Sequence, residues 1–103
     1  MSGYVTIAKV GDVKPGQIKT FTVQGKRVLI ANQEGTCFAT QDLCTHDGGP
    51  LADGELVDSE IECPRHGGRF DLRTGAVTAL PPMFPIKTYP VRIQDEEIQV
   101  DLG

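Results

Sequence analysis

No stretch of this 103-residue chain approaches the roughly 20 consecutive apolar residues of a membrane span. Its first residues, Met1-Ser2-Gly3-Tyr4, lack the basic region and apolar stretch of a secretory leader. These two absences make a soluble, cytoplasmic protein with no membrane partner the expectation. Positive charge is also scarce. Ten Lys and Arg against 14 Asp and Glu leave a formal net charge of −4, without the basic footprint that nucleic acid requires. An acidic surface permits pairing with a basic protein partner, although acidity of this size is ordinary among soluble proteins. Three cysteines are too few, and odd in number, for a disulfide framework, which leaves a metal or free thiols. A sustained helical stripe of apolar residues is missing as well.

What the chain has instead is strand periodicity. Tyr4 to Val10 alternates and ends in a turn at Lys14-Pro15-Gly16. Phe21 and Val23 alternate with polar neighbours, and Gln24-Gly25-Lys26 predicts a hairpin turn into the apolar run Arg27-Val28-Leu29-Ile30-Ala31. Gln33-Glu34-Gly35 predicts a second turn, into Thr36 to Thr40. Towards the C-terminus Tyr89, Val91 and Ile93 alternate, Asp95-Glu96 turns, and Ile98, Val100 and Leu102 alternate again, a further hairpin. Pro90 inside that pattern calls for an edge or a local bulge. Residues 41–85 are rich in Gly, Pro and Asp, with brief strand signals at 55–57, 60–62 and 69–71. The pattern predicts one all-β domain over 1–103, an antiparallel β sandwich or small barrel carrying a smaller β subdomain over about 41–85. Nothing in the chain reads as a linker, repeat or low-complexity segment.

The subdomain holds the chemistry. Cys44-Thr45-His46 and Cys63-Pro64-Arg65-His66 contain both histidines and two of the three cysteines, with sixteen residues between His46 and Cys63. Zinc ligands are commonly two to four residues apart, which C-x-x-H satisfies and C-x-H strains. Two sulfur and two nitrogen donors still suit tetrahedral zinc on ligand count, so a zinc-bearing structural module stays open. Thiol–imidazole catalysis needs one cysteine activated by one histidine, not two matched pairs. Glycines follow each pair, at Gly48-Gly49 and Gly67-Gly68. Glycine tolerates positive φ and close approach, so such loops can aim backbone N–H groups at an anionic sulfur, which favours an iron–sulfur cluster. Cys37 sits in a strand pattern beside Phe38 and reads as a small apolar residue rather than a ligand.

Cys-Thr-His, sixteen residues, then Cys-Pro-Arg-His-Gly-Gly resembles the Rieske iron–sulfur signature. The likeness covers essentially the whole chain, including Phe38-Ala39-Thr40-Gln41-Asp42 ahead of the first pair. The resemblance implies one 2Fe–2S cluster, with Cys44 and Cys63 on one iron and His46 and His66 on the other. Two ferric ions, two sulfides and two thiolates sum to formal neutrality, so an added electron costs less than on a cluster held by four thiolates.

Departures from the respiratory Rieske subunits narrow the resemblance. Those carry an extra cysteine in each loop, at positions that are Gly49 and Arg65 here, and a serine and a tyrosine that donate to cluster sulfurs, here Gly68 and Phe70. Fewer donors leave the sulfurs more electron-rich and place the potential low in the family's range of roughly −150 to +300 mV. No histidine remains for a mononuclear iron site. The chain therefore resembles the Rieske ferredoxins of bacterial aromatic-ring-hydroxylating dioxygenase systems. That implies a monomeric, non-enzymatic one-electron carrier from an NAD(P)H-dependent flavin reductase to a terminal oxygenase. The alternative is a small Rieske subunit of another redox enzyme, such as a nitrite reductase. Leu80-Pro81-Pro82-Met83 resembles the proline segment that covers the cluster in this family. Arg65, Arg69, Asp47 and Asp53 are candidates for steering a partner.

Overall fold

The apolar run Val28-Leu29-Ile30-Ala31 is buried along its whole length, and its alternate residues enter two different cores. Val28 and Ile30 pack with Ile98 and Val100, whereas Leu29 and Ala31 pack with Leu51, Ile61 and Phe70. Successive side chains of a strand point to opposite faces, so a continuous apolar run is what a strand with a core on each side requires.

The computed structural model describes residues 3–45, 48–64, 67–80, 82 and 84–102. Three antiparallel sheets are formed among them. The first joins β1 (Tyr4–Lys9), β11 (Glu97–Asp101) and β10 (Val91–Gln94), in that order. The second orders β2 (Ile18–Val23), β3 (Lys26–Gln33), β4 (Thr36–Gln41) and β9 (Thr88–Tyr89). The third is the meander β5 (Glu55–Val57), β6 (Glu60–Glu62), β7 (Arg69–Asp71) and β8 (Val77–Ala79). The fold is all-β and sandwich-like, without a closed barrel among the described residues. The second sheet is the middle layer. One core lies between it and the terminal strands, the other between it and the meander.

Three tight hairpins follow the sequence pattern. Gln24-Gly25, Glu34-Gly35 and Asp95-Glu96 all carry positive φ at both positions, the two-residue geometry whose twist matches paired strands.

The structure departs from the pattern in three places. The first strand stops at Lys9, because Val10–Asp12 form a 3₁₀ turn. Pro90 does more than mark an edge. It divides the 89–93 pattern into β9, which pairs with β4, and β10, which pairs with β11. A residue with no N–H to donate stands where the chain changes sheets. β8 carried no recognised signal. The described residues contain no helix long and apolar enough to cross a membrane.

Candidate metal centre

Cys44 begins a loop between β4 and β5, and Cys63 begins a loop between β6 and β7. The two loops are closed by the same pair of backbone hydrogen bonds. The Cys44 amide donates to the Gly49 carbonyl at 2.8 Å, and the Gly48 amide donates back to the Cys44 carbonyl at 2.8 Å. In the second loop the Cys63 amide donates to Gly68 at 2.7 Å and the Gly67 amide to Cys63 at 3.0 Å. Gly48 and Gly67 have φ of 73° and 74°, and an added Cβ at either would meet open space. The need for glycine there is therefore conformational rather than steric. These two glycine amides donate to cysteine carbonyls.

Matching the loops by these hydrogen bonds sets Gly48 against Gly67 and Gly49 against Gly68. The first histidine then falls one position earlier in its loop than the second. The C-x-H and C-x-x-H spacings thus differ only in the position of the histidine along loops closed by the same hydrogen bonds. His46 and His66, and with them Asp47 and Arg65, lie outside the described residues.

Both thiols are removed from water, with Cys44 at 0% and Cys63 at 1% exposure, and neither forms a disulfide. They belong to one apolar core with Leu29, Leu51, Ile61, Phe70, Leu72 and Ile86. Two buried sulfur donors on equivalent loops in a shared low-dielectric setting fit a metal–sulfur group, which is bound through thiolates. Cys37 is not part of this arrangement. It lies half-buried on β4 against the other core, and burial pushes its thiol above the usual value.

The segment after β8 spans both loops. The Thr45 hydroxyl donates to the Phe84 carbonyl at 2.6 Å, Pro82 is fully buried, and a Cβ on Gly68 would lie 2.6 Å from Pro82 Cγ. The Ile86 amide donates to the Gly75 carbonyl at 2.9 Å. Pro81 and Met83 of the expected cover lie outside the described residues, and Leu80 is 76% exposed. Leu43 and Phe84 are exposed too, so large apolar side chains stand in water on the segments flanking the loops.

Of the residues considered for steering, Arg69 is engaged by Glu62 at 2.8 Å and Glu60 at 3.8 Å across the β6–β7 ladder. Its charge is more than offset by these two carboxylates. Asp53 is exposed. Sequence reading overlooked Asp42, a buried carboxylate two residues before Cys44 that accepts from the Leu51 and Ala52 amides beyond the first loop and from Arg27 on β3. Its signal was visible only as part of a longer phrase.

The family described as the Rieske [2Fe-2S] domain matches residues 3–90. The chain is 39% identical over 100 residues to the ferredoxin component of the naphthalene 1,2-dioxygenase system of Pseudomonas putida, covering 97% of this chain and 96% of that protein. Among solved structures, the ferredoxin of carbazole 1,9a-dioxygenase from Nocardioides aromaticivorans IC177 aligns with a TM-score of 0.91 at 39% identity, over 97% of this chain and 98% of that one. A chain from the complex of reduced oxygenase and oxidized ferredoxin in carbazole 1,9a-dioxygenase aligns with a TM-score of 0.89 at 29% identity, over 95% and 92%. A putative NADH-dependent nitrite reductase small subunit from Mycobacterium tuberculosis aligns with a TM-score of 0.90 at 19% identity, over 100% and 97%, a likeness that shows the fold alone.

Proposed function

Since the chain belongs to the Rieske 2Fe–2S family, as an electron-transfer ferredoxin of the aromatic-ring dioxygenase type rather than a catalytic enzyme, we propose that Cys44 and Cys63 hold one iron of its cluster and His46 and His66 the other. The observation that carries this reading is the pair of equivalent loops presenting two buried thiols to one core. The cluster supplies the one-electron chemistry. The residues of the chain hold it, keep water from its sulfurs and offer its edge to partners. In this reading residues 1–103 act as a single domain, with about 41–85 as the cluster-binding subdomain.

A terminal oxygenase receives the electron, in keeping with the ferredoxin–oxygenase complex among the structural relatives. A separate NAD(P)H-dependent flavin reductase supplies it. The chain works as a monomer in the cytoplasm. Leu43, Leu80 and Phe84, at 41%, 76% and 69% exposure, support docking beside the cluster loops, because exposed large apolar side chains on the segments flanking a site are what an interface covers.

The purified protein is expected to be red-brown, with two irons and two acid-labile sulfides per chain, and to lose both on substitution of any of the four ligands. Full iron and sulfide retention in His46→Ala or His66→Ala overturns that ligand's assignment. Colourless protein holding only zinc overturns the cluster. Stable co-purification in an enzyme complex, without reduction by a free reductase, favours the enzyme-subunit alternative instead.

A further inference from the structure

The two cluster loops share their closing hydrogen bonds but not the strand pairing at their necks. The second loop sits at the tip of a hairpin, and the ladder pair Glu62–Arg69 closes its neck. Among the described residues the first loop has no such ladder, since β4 before it pairs with β3 and β9, and β5 after it pairs with β6. A side chain takes the place of the missing pair. Asp42 Oδ1 accepts from the Leu51 amide at 2.8 Å and the Ala52 amide at 2.9 Å, on the far side of the loop. Asp42 Oδ2 accepts from the Thr20 hydroxyl at 3.0 Å and an Arg27 Nη at 2.7 Å. One carboxylate thus joins β2 and β3 to both ends of the first loop.

We propose that Asp42 is the positioning residue of the first cluster loop, and that with Arg27 it sets the local charge against which the cluster takes its electron. The second part follows from burial. The Asp42 side chain is 0% exposed while that of Arg27 is 59% exposed, so water screens the cation far more than the anion. Two residues of chain span at most about 7 Å between their Cα atoms, which places this buried carboxylate and the Cys44 ligand on neighbouring positions of the chain. A buried anion disfavours the reduced, more negative state, and the guanidinium partly offsets it. Arg27 removal leaves the carboxylate its three other donors. The inference rests on the ligand reading above, whose own failure appears as wild-type protein without iron and sulfide.

The test uses cluster-loaded protein and three variants. Asp42→Asn keeps an oxygen for the Leu51 and Ala52 amides but removes the charge. Asp42→Ala removes both, and Arg27→Gln removes only the cation. The expected result is a raised midpoint potential in Asp42→Asn and a smaller shift in the opposite direction in Arg27→Gln. Asp42→Ala is expected to lose hydrogen-exchange protection at the Leu51 and Ala52 amides and to bleach roughly tenfold faster or more under chelator, as loss of charge-assisted hydrogen bonds would cause. Asp42→Asn keeps that protection. Unchanged potentials, or shifts of the same sign in Asp42→Asn and Arg27→Gln, overturn the charge role. Wild-type protection and bleaching in Asp42→Ala overturn the positioning role.

Discussion

At Gly68 two demands meet that sequence alone does not separate. The respiratory relatives carry a serine there, and its absence, with Phe70 in place of a tyrosine, argues for a low potential. The structure adds that Pro82 occupies the space a side chain would enter. Gly68→Ser therefore forces the segment over the second loop to move before any hydroxyl can reach a sulfur. It is expected to destabilise the protein by about 1–3 kcal/mol, the usual effect of overpacking, read as a lower denaturation midpoint. Phe70→Tyr is the cleaner probe of the hydrogen-bond argument. Phe70 is fully buried in the core that holds Cys44 and Cys63. An added hydroxyl that donates to cluster sulfur should raise the midpoint potential by about 20–60 mV, one hydrogen bond's worth. A stability loss with no rise in potential would show the hydroxyl buried without that acceptor.

The strand elements were readable wherever a local period or a turn signal existed. The Asp95-Glu96 hairpin is the instructive one. Both residues are left-handed, with φ of 53° and 63°, although neither is the glycine that such a turn favours. Glu96→Gly is accordingly expected to stabilise the protein by about 0.5–1 kcal/mol, through relief of the left-handed strain. Equilibrium denaturation checks it, and a loss of stability would mean that the Glu96 side chain matters more than its backbone. The other hairpins, with Gly25 and Gly35, were legible because the residue type announces the conformation. β8 was not, since Val77–Ala79 is three residues long and cannot show a period. Pro90 was legible as an interruption, but not as a change of sheet, because the partners of β9 and β10 are fixed by contacts far away in sequence. The same limit hid the pairing of β1 with β11. At the centre, the placement of Cys44 and Cys63 in one core accords with their paired spacing in the sequence. Asp42 was not legible, because its importance depends on amides nine and ten residues later that no local pattern links to it.

For the whole molecule, the two-faced β3 separates a core without proposed ligands from a core with two of them. The first contains Val28, Ile30, Ile98 and Val100. The second contains Cys44 and Cys63 together with the residues that pack the meander. A cluster held by both thiols would cross-link the two loops, and its binding free energy would then enter the stability of the second core directly. Each strand of the meander is only three residues long, and so few ladder bonds cannot hold it firmly once that cross-link is gone. The first core keeps its own supports, the six-residue β1, the five-residue β11 and the eight-residue β3. Removing the cluster with a chelator under reducing conditions should therefore cut amide protection in β5 to β8 and around Leu51, while β1, β3 and β11 stay protected, the mark of two units of unequal stability. Hydrogen exchange on cluster-loaded and cluster-free protein distinguishes the outcomes. Equal loss of protection in all three sheets would mean that β3 couples the two cores into one cooperative unit, with the cluster holding the entire fold rather than its tip.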